Sequence, residues 1–136
     1  MKVVLDTNVL LSAFLWRDSV SKKLLSKLLY CKMEIYTSQD IMLEFQRVLK
    51  RDFAFTDNET IDAMKEVFSF AKIVQPSIKV EVVKDDPTDD KIIKCAIASH
   101  SAYILSYNKH LLKIKEYMDI EILRPEEMLF LLNMEH

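Results

Sequence analysis

The order in which two kinds of apolar run follow one another most constrains this chain. Short β-type runs at Lys2–Leu5, Glu34–Thr37, Tyr103–Ser106 and Ile120–Leu123 alternate with stretches whose apolar residues recur every three or four positions. Val9–Trp16 reads as a short helix. Val20–Tyr30 reads as a longer one, with Val20, Leu24, Leu25, Leu28 and Leu29 at helical spacing. Ser38 is placed to cap a helix running to about Arg51. Further helices are predicted over Thr60–Phe70 (Ile61, Met64, Val67, Phe68 and Ala71), from the turn Asp86-Pro87-Thr88-Asp89 to about Ser99, and over Lys109–Lys113. A last helix begins at Pro125 with Met128, Leu129 and Leu132 inward, and Val80–Val83 reads as a strand or an extended connector. Strands alternating with helices predict an α/β fold: a three-layer sandwich with a central, mostly parallel sheet flanked by helices. In such a sheet the carboxyl ends of the strands share one edge.

The 136 residues suit one domain spanning 1–136, and half of them are hydrophobic, which suits a globular chain. There is no glycine. Tight turns must then rely on Asn, Asp, Ser, His and Pro, and a glycine-rich phosphate loop or dinucleotide fingerprint is excluded. The 19 basic and 21 acidic residues nearly balance, so a nucleic-acid partner would need a local basic face. Cys31 and Cys95 sit among apolar residues and read as buried free thiols in a reducing compartment. Asp6 and Asn8 interrupt the opening apolar run before a signal-peptide core can form, and no stretch approaches the ~20 apolar residues of a membrane span. A soluble, cytoplasmic protein with no membrane association is expected.

The first strand ends abruptly at Asp6-Thr7-Asn8, which puts a carboxylate at the sheet edge where open α/β folds build their sites. Asp6 alone suits a helix cap equally well. Thr7 and Asn8 are candidates to orient that carboxylate or a metal-bound water. Glu44 lies on the inward stripe of its helix, three residues from Ile41 and four from Val48, where a carboxylate is costly unless paired or metal-bound. Asp85, Asp86, Asp89 and Asp90 cluster at a helix start, where acids also serve the helix dipole. Both Asp89 and Asp90 have inward residues at helical offsets, and periodicity does not choose between them. Asn108 follows a strand and either ligates or caps the next helix; Ser106 and Tyr107 are weaker candidates. Oxygen ligands without His or Cys suit a hard cation, Mg²⁺ or Mn²⁺, and hence phosphoester hydrolysis.

These residues resemble a PIN domain, and within that family the VapC-like toxin ribonucleases. The likeness rests on Leu5-Asp6-Thr7-Asn8-Val9-Leu10, on Ser38…Ile41…Glu44, on Asp86-Pro87-Thr88-Asp89-Asp90…Ala96, and on Tyr103-Ile104-Leu105-Ser106-Tyr107-Asn108. It implies a Mg²⁺- or Mn²⁺-dependent endoribonuclease with Asp6, Glu44 and Asp90 as core acids, Asp89 competing for the third place, and products bearing a 5′-phosphate and a 3′-hydroxyl. Asn108 would position the nucleophile or a second ion. The family pattern has Thr–x–Asp where this chain has Ser106-Tyr107-Asn108, which bears on a second metal ion. The resemblance also implies a small antitoxin partner and a homodimer, for which Leu24, Leu28, Met128 and Leu132 offer themselves, as they do for plain core packing. RNA would meet a positive rim, with Arg17, Lys22, Lys23, Arg47, Lys50, Lys109 and Lys113 as candidates. Trp16 is a candidate base-stacking residue or a core one.

Two other functions compete. A PIN fold that binds RNA or protein without cleaving it would accommodate Asn108. An Asp-nucleophile phosphatase would need a second Asp at position 8, where this chain has Asn8.

Overall fold

The computed structural model describes residues 1–77 and 90–134. Asp85, Asp86, Asp89 and the run Val80–Val83 lie outside the described residues.

The predicted alternation holds. In chain order the elements are β1 (Lys2–Leu5), α1 (Thr7–Leu15), α2 (Val20–Tyr30), β2 (Glu34–Ser38), α3 (Gln39–Phe53), α4 (Asp57–Phe68), β3 (Ala71–Val74), α5 (Asp90–Ser99), β4 (Tyr103–Leu105), α6 (Lys109–Ile114), β5 (Glu116–Tyr117), β6 (Ile120–Leu123) and α7 (Pro125–Met134). Among the described residues, one sheet runs in the order β3-β2-β1-β4-β6-β5. Every neighbouring pair is parallel except β5 with β6. The interior is aliphatic: Val3, Val4 and Leu5 of β1, Ile35 of β2, and Ile104 and Leu105 of β4 are fully buried. So are Ile41, Phe45 and Leu49 of α3 and Ile92 and Ile93 of α5. Near-continuous apolar strands are what a sheet covered on both faces requires.

Four departures from the sequence reading have physical causes. α1 begins at Thr7 rather than Val9, because the Asp6 side chain accepts the Thr7 N–H and starts the helix at once. α4 begins three residues early, because Thr56 and Glu59 form a reciprocal capping box. It ends at Phe68, and Ala71 starts β3, a strand that helical spacing alone had absorbed. Within α4 the buried positions are Thr60, Ala63 and Val67, while Ile61 and Phe68 are exposed. The two-residue β5 had no sequence signal. Leu24, Leu28, Met128 and Leu132 are all buried, with α2 packed on α7, so these four serve the core. Neither Cys31 nor Cys95 forms a disulfide; Cys95 is buried as expected while Cys31 is only partly so, and burial pushes the Cys95 thiol up to about 12.

Among the described residues no helix is long and apolar enough to cross a membrane.

Candidate metal centre

Topology decides which residues can meet. A helix that follows a parallel strand starts at the carboxyl edge of the sheet, and a helix that leads into one starts there too. Asp6 follows β1, α3 follows β2, α5 leads into β4, and Asn108 follows β4. The order places β1 between β2 and β4, so Asp6 stands centrally, with Glu44 in the second turn of α3 on one side. Asp90, the first residue of α5, belongs to a helix packed on β1, β2 and β4.

Asp6 is held from both sides. Its Oδ1 accepts the Thr7 N–H at 2.7 Å, and its Oδ2 accepts the Ser106 hydroxyl at 2.6 Å. It is 4% exposed. Loss of hydration pushes its carboxyl up to about 6, against the lowering effect of those two hydrogen bonds. The charges of Glu44 and Lys91 also reach it, Glu44 raising and Lys91 lowering. Ser106 is fully buried and accepts the Asn108 N–H at 2.9 Å while it donates to Asp6. It is therefore the residue that ties β4 to the Asp6 carboxylate, a larger part than its sequence position suggested.

Thr7 reaches Asp6 through its backbone, and among the described residues its buried Oγ1 has no hydrogen-bond partner. Asn8 acts at the other corner: its Oδ1 accepts the Tyr107 N–H at 3.3 Å. Asn108 caps α6, its Oδ1 accepting from His110 N at 2.8 Å and Leu111 N at 3.3 Å. Asp90 is 5% exposed. Glu44 is only partly buried and ion-paired, with Oε2 2.6 Å from Lys91 Nζ. Sequence reasoning passed over Lys91. Its signal was the need of any inward carboxylate for a cation.

Among the described residues, no three His, Cys, Asp or Glu side chains are arranged to hold a metal ion. The donor chemistry nonetheless suits a hard cation. Asp6 and Asp90 are buried carboxylates on one sheet edge, and Asp6 has lone pairs beyond its two hydrogen bonds. Glu44 reaches the edge as one half of an ion pair with Lys91.

The basic candidates divide. Arg47 is exposed one turn beyond Glu44, and Lys109 is exposed next to Asn108 at the same edge. Arg17 and Lys23 are exposed at the α1–α2 corner, while Lys22 lines a small groove with Glu66 and Phe70. Lys50 pairs with Asp57 at 2.7 Å, and Lys113 is exposed on the last turn of α6. Trp16 is half exposed and meets Phe53 edge-on, with centroids 5.9 Å apart.

An uncharacterized protein of Methanocaldococcus jannaschii is 28% identical over 120 residues, covering 85% of this chain and 76% of that protein. A chain in the crystal structure of VapBC2 from Rickettsia felis, bound to a DNA fragment from their promoter, shares the fold. Its TM-score is 0.64 at 16% identity, over 90% of this chain and 97% of that one. The profile of the PIN domain matches residues 2–110, which include Asp6, Glu44, Asp90, Ser106 and Asn108. The chain belongs to the PIN domain family, a family of nucleases.

Proposed function

We propose that this protein is a metal-dependent ribonuclease that hydrolyses RNA phosphodiester bonds and serves as the toxin of a toxin–antitoxin pair. The observation that carries the proposal is the Asp6 carboxylate, buried and held by Ser106 and Thr7 at the centre of the carboxyl edge. Glu44 and Asp90 stand on the two helices that begin at that edge. Asp6 and Asp90, with Glu44, would hold Mg²⁺ or Mn²⁺; Asp89 remains a further candidate ligand. The ion when bound supplies phosphoryl polarisation and a nucleophile at neutral pH.

The chain's own groups do the rest. Ser106 fixes the Asp6 carboxylate through its hydroxyl, so that the lone pairs facing the edge keep one direction. Asn8 holds the β4–α6 corner through Tyr107 N. Asn108 keeps the first turn of α6 in place and carries no charge of its own. Arg47 and Lys109 offer cationic contacts to RNA phosphates on either side of the acids, in a chain whose net charge of -2 gives no general attraction. Arg17, Lys22 and Lys23 extend that rim.

The antitoxin partner is supported by the shared fold with a chain of VapBC2. A homodimer is the expected assembly, and the cytoplasm the expected compartment.

Cleavage of a labelled RNA pool with Mn²⁺, Mg²⁺ or EDTA, by the native protein and by Asp6→Asn, tests the proposal. Metal-dependent cleavage reduced at least about 100-fold by the substitution is expected. Absence of cleavage by the native protein across metals and RNAs, together with metal-independent RNA binding, would instead favour a binding module. The capping duty of Asn108 and the engagement of Glu44 by Lys91 are the observations on that side. A phosphoryl group trapped on Asp6 would point to phosphatase chemistry, although Asn8 is committed to Tyr107 and offers no acid.

A further inference from the structure

Residues 106–108 link β4 to α6 and belong to neither element. The Ser106 hydroxyl that holds Asp6 stands in this corner, so its aim depends on what fixes these residues. Ser106 N donates to Leu123 O at 3.0 Å, and Asn108 is held by its cap on α6. Between them, the Tyr107 N–H makes a longer contact, to Asn8 Oδ1 at 3.3 Å. The Tyr107 side chain makes a shorter one. Its hydroxyl donates to Glu126 Oε1 at 2.6 Å and accepts from Ser21 Oγ at 3.4 Å.

Those two partners come from distant parts of the chain. Glu126 is in the first turn of α7, which follows β6, and the parallel pairing of β6 with β4 brings that turn to the carboxyl edge. Ser21 is buried in the first turn of α2, and α2 packs on α7. The match to the PIN domain ends at residue 110, so the segment that supplies Glu126 lies beyond it. A hydroxyl donating to a carboxylate makes a charge-assisted bond, about twice as strong as a neutral one. Partial burial and the Glu126 carboxylate raise the Tyr107 hydroxyl above its ordinary value, against a lowering by Ser21, so it remains a donor at neutral pH.

We propose that Tyr107 is a positioning residue of this site: its hydroxyl ties residues 106–108 to the first turn of α7 through Glu126, and so keeps the Ser106 hydroxyl aimed at Asp6. This inference rests on the proposal that the Asp6 centre cleaves RNA. Tyr107 acts through Ser106 and takes no part in the bond-breaking step. Through it the carboxy-terminal helix has a share in the reaction.

The experiment is steady-state cleavage of one labelled RNA by the full chain at saturating Mn²⁺. It compares the native protein with Tyr107→Phe, Glu126→Ala, Glu126→Gln and the double variant Tyr107→Phe/Glu126→Ala. In each of Tyr107→Phe and Glu126→Ala, kcat is expected to fall about 10-fold while KM stays within about 2-fold. The double variant should lose no more than either single one, because both remove the same bond. Glu126→Gln should lose less, since its amide oxygen still accepts. The two single variants act at opposite ends of the bond, so one suffices if the other fails to fold. Amide hydrogen exchange at Tyr107 and Asn108 reads the tie without substrate and should be about 10-fold faster in Tyr107→Phe. Unchanged kcat in Tyr107→Phe would overturn the inference. So would a rise in KM alone, which would make the ring a contact for RNA, or additive losses in the double variant. In those results RNA cleavage by the native protein survives. If the native protein cleaves no RNA, the nuclease reading falls, and this inference falls with it.

Discussion

Asp6 shows how much of a site one residue can define. Its carboxyl sits near 6 in the folded protein against an ordinary value near 3.8, because burial removes hydration that two hydrogen bonds only partly replace. Between those values the native chain retains a proton that the unfolded chain has released. The contribution of Asp6 to stability is therefore complete below about pH 4 and is lost as pH rises through 6, by about 3 kcal/mol in metal-free solution. Urea denaturation in EDTA from pH 4 to 8 should show that decline in the native protein and lack it in Asp6→Asn; equal slopes in the two would refute the assignment. A bound divalent ion favours the ionised form, so Mn²⁺ should stabilise the protein more at pH 8 than at pH 5. Ser106→Ala removes the donor to Asp6 and the acceptor of Asn108 N–H. A loss of about 1–3 kcal/mol is expected on chemical denaturation, with the Asp6 carboxyl pushed higher still by NMR titration.

At the scale of elements, caps decide where helices start and what they carry. Asn108 caps α6 with its carbonyl oxygen. Asn108→Asp should preserve that cap, leaving the melting temperature nearly unchanged, while bringing a carboxylate to the edge and tightening Mn²⁺ binding. Asn108→Ala should instead cost about 1 kcal/mol. Thr56→Ala breaks the capping box of α4, far from the acids in the chain order, and should cost a similar amount without altering RNA cleavage. Capping residues also explain which elements were legible. Ser38 announces α3 and the apolar spacing of Val20–Tyr30 announces α2, whose cap, Ser19, the structure supplies; the bounds of both were read nearly as they stand. The polar stop after β1 likewise identified Asp6. β3 was hidden because Phe70 and Ala71 continue the spacing of α4, and β5 because two residues give no period. The pairing of Glu44 with Lys91 joins residues 47 apart, and no local pattern encodes it. Nor did spacing rank Ser106 above its neighbours, since its importance comes from strand pairing that sets it beside Asp6.

For the whole molecule, the order of strands is the organising fact: β1 lies inside the sheet with β2 and β4 on its flanks, so a single edge collects residues from across the sequence. Helices α2 and α7 pack together and still leave Leu29, Tyr30, Phe130, Leu131 and Met134 exposed. If the protein self-associates there, sedimentation at micromolar concentration will show a dimer that Phe130→Glu converts to monomer; a dimer indifferent to that change would place the interface elsewhere. The absence of glycine has a different consequence. Lys32, Ala54, His100, Lys115, Met118 and Asp119 all adopt positive φ, a conformation that costs a residue with a Cβ about 1–2 kcal/mol. These corners turn the chain between its elements, and none of them contributes one of the acids. They amount to an untapped reserve: Ala54→Gly and Lys115→Gly, made together, offer a route to a hardier scaffold whose carboxyl edge is left as it is.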